Sequence, residues 1–298
     1  MKQILHASPI LLVFITILSL HATTEQKALI ALQPSQDHIE NYTRMQKSPF
    51  FTICIYAYNT ENWIKKNLDS VFSQHYKNYR ILYIDDASYD ATTNTVQKYI
   101  STTSAQHIKI ITNTEHQGEL KTLYSIINNC ADDEIIILLN GNDWLAHNKV
   151  LTELGAAYNS NDIWLTYGTC TSAPKGCNIS IRNGSIPQHI LEHRLYRDIF
   201  PYMPVRSFYA WLFKLIKKDD LIDASTGDFF EHAAECYIMW PLLEMAHNHF
   251  KAISSTTYVI NSHDPIAQLE KDYHLRMAIN SQMDKNIPIY PLAIKPNC

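Results

Sequence analysis

The sequence predicts an α/β protein with a mainly parallel sheet flanked by helices. Short apolar segments alternate with longer segments of helical period from residue 50 to residue 139. The first of them, 50–56, is apolar on both faces, as is typical of a strand in a sheet that is covered on both sides. The connections between successive strands are long enough for a helix and therefore favour right-handed βαβ units.

Strands and helices alternate through the first half of the chain. The predicted strands are 50–56, Tyr79–Ile84, Ile108–Thr112 and Ile135–Leu139. Thr60 is expected to cap the first helix, in which Ile64, Leu68, Val71 and Phe72 share one face. The second helix is predicted around Val96, Tyr99 and Ile100, and the third follows Gly118 and presents Leu120, Leu123 and Ile127 on one face.

The regular alternation stops at about residue 170, where prolines and Asn-Gly pairs become frequent. The second half is therefore expected to be irregular, with a helix around residues 235–247 and another over 266–283. An aromatic segment, Phe208–Phe213, is expected to pack in the core rather than to stack on a sugar ring.

Composition limits the kinds of ligand that the chain can bind. The chain has 298 residues, of which 46% are hydrophobic and 18% are charged, and its net charge is −4. This size suits one large domain or two closely fused halves, and no basic face for nucleic acid is predicted. With only 7 glycines the chain has no glycine-rich phosphate loop, so side chains, isolated backbone amides or a cation must hold any diphosphate.

The N-terminal segment has the pattern of an export signal. Lys2 precedes an apolar run, Ile10–Leu20, and Ala22 is a suitable residue for cleavage. A signal peptide over residues 1–22 is favoured over a short membrane anchor, and residues 23–48 are expected to be a linker. Both alternatives place the protein on the secretory route or at a membrane.

The six cysteines contain no Cys-x-x-Cys pair, so no zinc site is predicted. In an oxidising compartment Cys170 and Cys177 are spaced to bridge a loop, but spacing alone does not establish a disulfide.

Acidic and amide side chains follow two of the predicted strands. Asp85 and Asp86 follow the second strand, and Asn140, Asn142 and Asp143 follow the fourth. Ligands of open α/β sheets bind at the carboxyl ends of the strands, and these oxygen-rich groups suit a base, a ribose and a diphosphate bridged by a metal. Each cluster taken alone is also compatible with an ordinary polar turn or a helix cap.

Eight segments together resemble the inverting family 2 glycosyltransferases. They are residues 56–59, 70–74, 79–90, 139–145, 162–168, 207–213, 241–246 and 258–261. The resemblance covers residues 49–298 and implies the nucleotide-sugar (type A, Rossmann-like) fold. It implies a nucleotide-sugar-binding half over 49–170 and an acceptor-binding half over 171–298.

The resemblance also implies roles for individual residues. The donor-binding residues would be Tyr56, Ala57, Asn59, Asp85, Asp86, Asn140 and Asn142. A divalent cation, Mn²⁺ or Mg²⁺, would be held by Asn142, Asp143 and His263. The general base would be Glu235, six residues before Pro241, where the family has an aspartate.

Two positions depart from the family's pattern, because Asn140 and Asn142 stand where the family usually has aspartates. Two functions therefore remain open. The chain is either an enzyme that moves a sugar from a nucleoside-diphosphate donor to a hydroxyl of a glycan, protein or lipid, or a catalytically impaired relative that binds a nucleotide sugar or a glycan. A nucleic-acid partner is not expected.

Overall fold

An eight-stranded sheet with helices on both faces forms the framework of the computed structural model. The structure describes residues 48–103, 105–160, 162–174, 185–198, 204–263 and 289–296. Residues from Pro49 onwards belong to one compact unit.

The strands of the large sheet are β1 (Phe51–Ala57), β2 (Tyr79–Asp85), β3 (Ile108–Thr112), β4 (Ile135–Asn140), β5 (Trp144–Leu145), β6 (Leu165–Ala173), β7 (Arg206–Tyr209) and β10 (Phe250–Asn261). A separate two-stranded sheet consists of β8 (Ile222–Asp223) and β9 (Asp228–Phe229). The helices are α1 (Ile64–Phe72), α2 (Thr92–Thr103), α3 (Glu119–Asn128), α4 (Val150–Tyr158), α5 (Gln188–His193), α6 (Ala210–Phe213) and α7 (Ala234–Ala246). Short 3-10 turns span Tyr196–Asp198 and Lys218–Leu221.

The sheet has the strand order β3-β2-β1-β4-β7-β6-β10-β5. The four strands predicted from the first half are mutually parallel and adjacent, as expected. Strand β7 lies between β4 and β6 and is antiparallel to both, while β10 is parallel to β6. The predicted α/β class with a mainly parallel sheet is confirmed, and the antiparallel strands come from the second half of the chain.

The hydrophobic core lies in two layers, one on each face of the sheet. Helices α1, α2 and α4 pack on one face through residues such as Leu68, Val96 and Leu154. Helices α3, α6 and α7 cover the other face. Phe208, Trp211 and Phe213 belong to this second layer and are buried, which confirms that the aromatic segment is core.

The expected role of Thr60 as a helix cap is wrong. Helix α1 begins at Ile64, and no side chain in the described part of the chain caps its first turn. Thr60 is buried, and its hydroxyl instead contacts the hydroxyl of Tyr83 at 3.2 Å. Its backbone carbonyl accepts a hydrogen bond from the Trp63 N–H, so the turn before the helix is closed by the main chain.

Some predictions fall outside the described residues and stay predictions. They are the leader over 1–22, the linker, the helix over 266–283 and the pairing of Cys170 with Cys177. Among the helices that the structure describes, none has the length and apolar character needed to cross a bilayer.

Candidate active site

The ends of β1, β2 and β4 bring most of the predicted donor-binding residues together. In the sheet register Ala57 lies beside Asp85, and Tyr56 lies beside Asn140. The loops that follow are tied to β1, because the Gly141 N–H donates to the Tyr56 carbonyl (2.7 Å) and the Asp86 N–H to the Ala57 carbonyl (2.9 Å). The two polar clusters therefore meet at one edge of the sheet, as the parallel topology requires.

Asp86 is a buried hub that joins its own loop after β2 to β1 and to the loop between β3 and α3. Its side chain has no exposed surface. Its carboxylate accepts hydrogen bonds from the Tyr56 hydroxyl (2.8 Å) and the Asn113 amide (2.6 Å). It also accepts the backbone N–H groups of Gln117 (2.9 Å) and Gly118 (2.8 Å), which precede α3. Asp86 therefore satisfies amide groups at the start of α3 from a loop that follows β2.

The hydrogen bonds around Asp86 decide its ionisation. Burial alone would raise the pKa of this carboxyl, but the hydrogen bonds from Asn113, Gln117, Tyr56 and Gly118 outweigh it and lower the pKa below its ordinary value. The pKa of the Tyr56 hydroxyl is raised, mainly by burial and then by its hydrogen bond to Asp86. Asp86 is thus an anion and Tyr56 is a neutral donor at physiological pH. The predicted contact of Asp86 with a nucleoside stays a prediction.

Asp85 and Asn59 shape the rim next to this hub. The Asp85 carboxylate accepts the Ser88 N–H (3.0 Å) and the hydroxyl of Thr93 in α2. Asn59, at a positive φ of 54°, accepts the Tyr89 N–H (3.0 Å) through its side chain. These bonds fix the loops that present Tyr58 and Tyr89, whose side chains are 37% and 84% exposed.

An aromatic surface adjoins the Asp86 hub. The Tyr58 ring lies 4.1 Å from the ring of His116, centroid to centroid. His116 Nδ1 lies 3.0 Å from an Asp86 carboxylate oxygen. Exposed rings held in this way offer a stacking surface for a planar base.

The Asn67 side chain of α1 holds the loop after β4 in place. The Asn67 amide donates to the backbone carbonyls of Asn140 (3.0 Å) and Asp143 (2.8 Å). Within the loop the Asn142 N–H reaches the Asn140 side-chain oxygen at 3.3 Å. Nothing larger than glycine fits at Gly141, since a Cβ there would lie 2.8 Å from the Cβ of Ala57.

Asp143 connects this loop to β10. Its carboxylate accepts the Tyr258 hydroxyl (2.9 Å) and the Asn261 N–H (2.7 Å). The same Tyr258 hydroxyl accepts the N–H of Asn140 at 3.2 Å. Asp143 thus fixes the position of the loop relative to the C-terminal strand.

Asp143 and His263, two of the residues predicted to hold a metal, are linked through Asn261, but the predicted residues are a poor set of ligands. His263 follows β10 directly, and its N–H donates to the Asn261 side chain (3.0 Å) while its ring stacks at 6.1 Å on Trp63. Within the described part of the chain, no group of three or more His, Cys, Asp or Glu side chains is arranged to hold a metal ion. A hard divalent cation prefers carboxylate oxygens, and Asp143 offers the one carboxylate in the predicted set. The residues therefore do not fit such a cation.

Glu235 lies in the first turn of α7, on the face of the sheet that this helix covers. Its side chain is half-buried, between the buried residues Ala234 and Cys236. Burial raises the pKa of the Cys236 thiol, the charge of Glu235 raises it further, and the charge of Arg206 opposes both. The charges of Glu235 and Arg206 thus both act on this thiol. The assignment of Glu235 as general base stays a prediction.

Comparison with known proteins identifies the family. Residues 52–219, more than half of the chain, match the family model described as glycosyl transferase family 2. The chain belongs to glycosyl transferase family 2. The matched range includes the ends of β1, β2 and β4, where the candidate site lies.

The curated relatives of this family member are distant, and the chain spans less than half of their length. An uncharacterised glycosyltransferase of Haemophilus influenzae is 28% identical over 147 residues, covering 40% of this chain and 45% of that protein. The glycosyltransferase GlyA of Streptococcus pneumoniae is 27% identical over 101 residues, covering 34% of this chain and 14% of GlyA. Each match spans less than half of the relative's length.

Solved structures establish the type A glycosyltransferase fold for this family 2 chain. Residues 1–349 of S. aureus TarS, in complex with UDP-GlcNAc, superpose with a TM-score of 0.53 at 17% identity, covering 72% of this chain and 59% of that one. The mannosyltransferase PcManGT from Pyrobaculum calidifontis, with GDP-Man and Mn²⁺, gives a TM-score of 0.51 at 15% identity, with coverages of 80% and 70%.

Sequence reasoning assigned no role to several residues that build the site. Asn67 is a polar residue on the buried face of an amphipathic helix. A polar residue at such an apolar position is the sequence feature that could have indicated its role. Asn113 directly follows β3, at the same sheet edge as the predicted clusters. Nothing in the sequence marks the hydroxyl of Tyr258 as the group that joins Asn140 to Asp143.

Proposed function

We propose that this chain transfers a sugar from a nucleoside-diphosphate donor to an acceptor hydroxyl and inverts the anomeric centre. The observation that carries the proposal is the convergence of Tyr56, Asp85, Asp86 and Asn140 at one sheet edge in a family 2 chain. Two structural neighbours hold UDP-GlcNAc and GDP-Man, so donors of these two nucleotide classes are the first candidates.

In the proposed reaction Glu235 acts as general base. Its carboxylate takes the proton of the acceptor hydroxyl while the oxygen attacks the anomeric carbon. The bond from that carbon to the diphosphate breaks in the same step, so the configuration inverts and the nucleoside diphosphate leaves. The half-buried position of Glu235 supports this role, because a base there can be shielded from bulk water and still reach an acceptor.

The proposal is tested by incubating the full chain with a panel of UDP- and GDP-sugars and measuring the released nucleoside diphosphate. We expect release with at least one donor, and a fall in rate of about 10²- to 10⁴-fold in Glu235→Gln. Glu231→Gln is the matched control, since this carboxylate lies four residues before Glu235, outside α7, and its side chain is 81% exposed. An unchanged rate in Glu235→Gln would show that the base is misassigned.

A second candidate is a catalytically impaired relative that only binds nucleotide sugars or glycans. The specific observation in its favour is the replacement of two family aspartates by Asn140 and Asn142. The double variant Asn140→Asp with Asn142→Asp distinguishes the two functions. A large gain of Mn²⁺-dependent turnover favours the impaired relative, whereas a loss or no change favours a working site that contains amides.

A further inference from the structure

The loop after β4 contains fewer negative charges than a site built to hold a metal-bound diphosphate. Asn140 and Asn142 are neutral, and the carboxylate of Asp143 accepts hydrogen bonds from Tyr258 and Asn261. Aspartates at these positions would repel phosphate and would need a cation between them and the ligand. Amides remove that need, because an amide N–H can donate directly to a phosphate oxygen.

Asn142 has a side-chain oxygen to which no described residue donates a hydrogen bond. Its side chain is 9% exposed. Its Oδ1 is buried and has no hydrogen-bond partner among the residues that the structure describes. A buried polar atom without a partner is costly. Oδ1 is an acceptor, so a ligand hydroxyl would satisfy it, and the NH2 group of the same amide can donate to a phosphate oxygen of that ligand.

Arg206 places a permanent positive charge on the same side of the sheet. It lies directly opposite Leu138 in the antiparallel pair of β4 and β7, so both side chains are on one face. Asn140 follows Leu138 by two residues in β4 and therefore lies on that face as well.

The positive charge of Arg206 acts both near the loop after β4 and near Glu235. Burial raises the pKa of the Tyr258 hydroxyl, and the positive charge of Arg206 acts in the opposite direction. Arg206 acts in the same sense on Cys236, the neighbour of Glu235. The charge of Arg206 therefore acts on the residue that holds Asp143 and on the neighbour of the proposed base.

On the basis of the glycosyl-transfer function proposed above, we propose that the Arg206 guanidinium and the Asn142 amide hold the donor diphosphate directly, so that donor binding requires no divalent cation. A guanidinium is always charged, and its planar set of N–H donors matches phosphate oxygens. It would neutralise charge on the diphosphate in the ground state and again as the nucleoside diphosphate leaves.

The test is a calorimetric titration of the full chain with UDP and GDP, in EDTA and in Mn²⁺. We expect binding of at least one nucleotide in EDTA, with a dissociation constant that Mn²⁺ changes by less than about threefold. Arg206→Gln should weaken binding in EDTA by about 30-fold. Arg80→Gln is the matched control, since Arg80 lies near the start of β2, at the opposite edge of the sheet, and pairs with Glu134.

Asn142→Asp provides an independent test of the amide. This variant should lose binding in EDTA and recover it in Mn²⁺, because the new carboxylate repels phosphate unless a cation lies between them. Circular dichroism of each variant checks that it is folded.

The outcomes separate this inference from the proposed function. Binding by the wild-type chain in Mn²⁺ alone overturns the cation-free site and leaves the proposed function standing. No binding under either condition overturns both. Binding in EDTA that Arg206→Gln leaves unchanged shows that Arg206 is not the phosphate ligand, and tight binding of Asn142→Asp in EDTA excludes the role of the amide.

Discussion

At the scale of single residues, Asp86 is the group on which the candidate site depends most. Its buried carboxylate accepts hydrogen bonds from a side chain of β1, from Asn113 and from two backbone amides before α3. Asp86→Asn keeps the size and shape of the side chain. It replaces one carboxylate oxygen with an NH2 group, which would face the N–H and O–H groups that donate to Asp86. We expect the free energy of unfolding at pH 7 to fall by about 3 kcal/mol, measured by urea denaturation.

The lowered pKa of Asp86 makes this loss depend on pH. The folded-state pKa lies below the ordinary value of 3.8, so the carboxylate stabilises the fold above that value. The stabilisation is lost as the pH falls from about 3.8 through the lower folded-state pKa. The difference between wild type and Asp86→Asn should therefore shrink in this acid range, whereas Asp228→Asn, at an exposed ion pair with Lys121, should differ little from wild type at any pH. A constant difference for Asp86→Asn down to pH 2 would contradict the assignment.

At the scale of elements, the contact between β1 and the loop after β4 positions Asn140 and Asn142. Gly141→Ala places a Cβ 2.8 Å from the Ala57 Cβ and 3.0 Å from the Tyr56 carbonyl oxygen. These atoms belong to a central strand and cannot move easily. We expect a loss of about 1–3 kcal/mol in the free energy of unfolding, together with weaker binding of nucleotide in calorimetry.

Gly155→Ala is the control for this loop prediction. Its new Cβ would meet the ring of Tyr76 at 2.9 Å, and the change is in α4, away from the strand ends. Nucleotide affinity should stay at the wild-type value in this variant. Equal affinities for Gly141→Ala and wild type would show that the loop position does not matter for binding.

At the scale of the whole molecule, Tyr290 fastens a C-terminal segment to the second half of the chain. Its N–H donates to the Glu244 carboxylate (2.9 Å), and its carbonyl accepts from the Arg194 guanidinium (2.5 Å). Its hydroxyl donates to Asp220 (2.6 Å) and accepts the Lys217 N–H (2.8 Å). The buried Glu244 is also held by Arg197 at 2.6 Å, so this carboxylate inside α7 has a structural role.

Removal of the Tyr290 side chain should therefore destabilise the molecule. Tyr290→Ala is expected to lower the free energy of unfolding by about 3–5 kcal/mol, because it leaves a cavity and removes the hydroxyl contacts. Tyr290→Phe should cost about 1 kcal/mol. Ile294→Ala, at a side chain that is 90% exposed, should change little. If Tyr290→Ala unfolds at the wild-type urea concentration, the segment does not contribute to the stability of the fold.

Local pattern explains which parts of the fold could be predicted. The first four strands were expected within one residue of their observed bounds, because each is a distinct apolar run between polar turns. Strand β7 was not predicted, since four residues next to an aromatic helix carry no recognisable period. Its place between β4 and β6 depends on tertiary pairing that local sequence does not encode.

The candidate site, like the fold, could be predicted only in part from the sequence. Parallel topology predicts that Asp85, Asp86 and Asn140 meet at one edge, and the structure confirms that they do. The partners of their side chains could not be predicted, because Asn67, Asn113 and Tyr258 reach them from distant parts of the chain. Hydrogen bonds of this kind follow from the packing of the whole domain.

The most direct test of the central claim is hydrogen–deuterium exchange of the full chain with and without a saturating UDP- or GDP-sugar. If the ends of β1, β2 and β4 bind the donor, the amides of residues 56–59, 85–90 and 140–143 should exchange more slowly in its presence. Protection confined to other segments, or no protection with any such donor, would contradict the account.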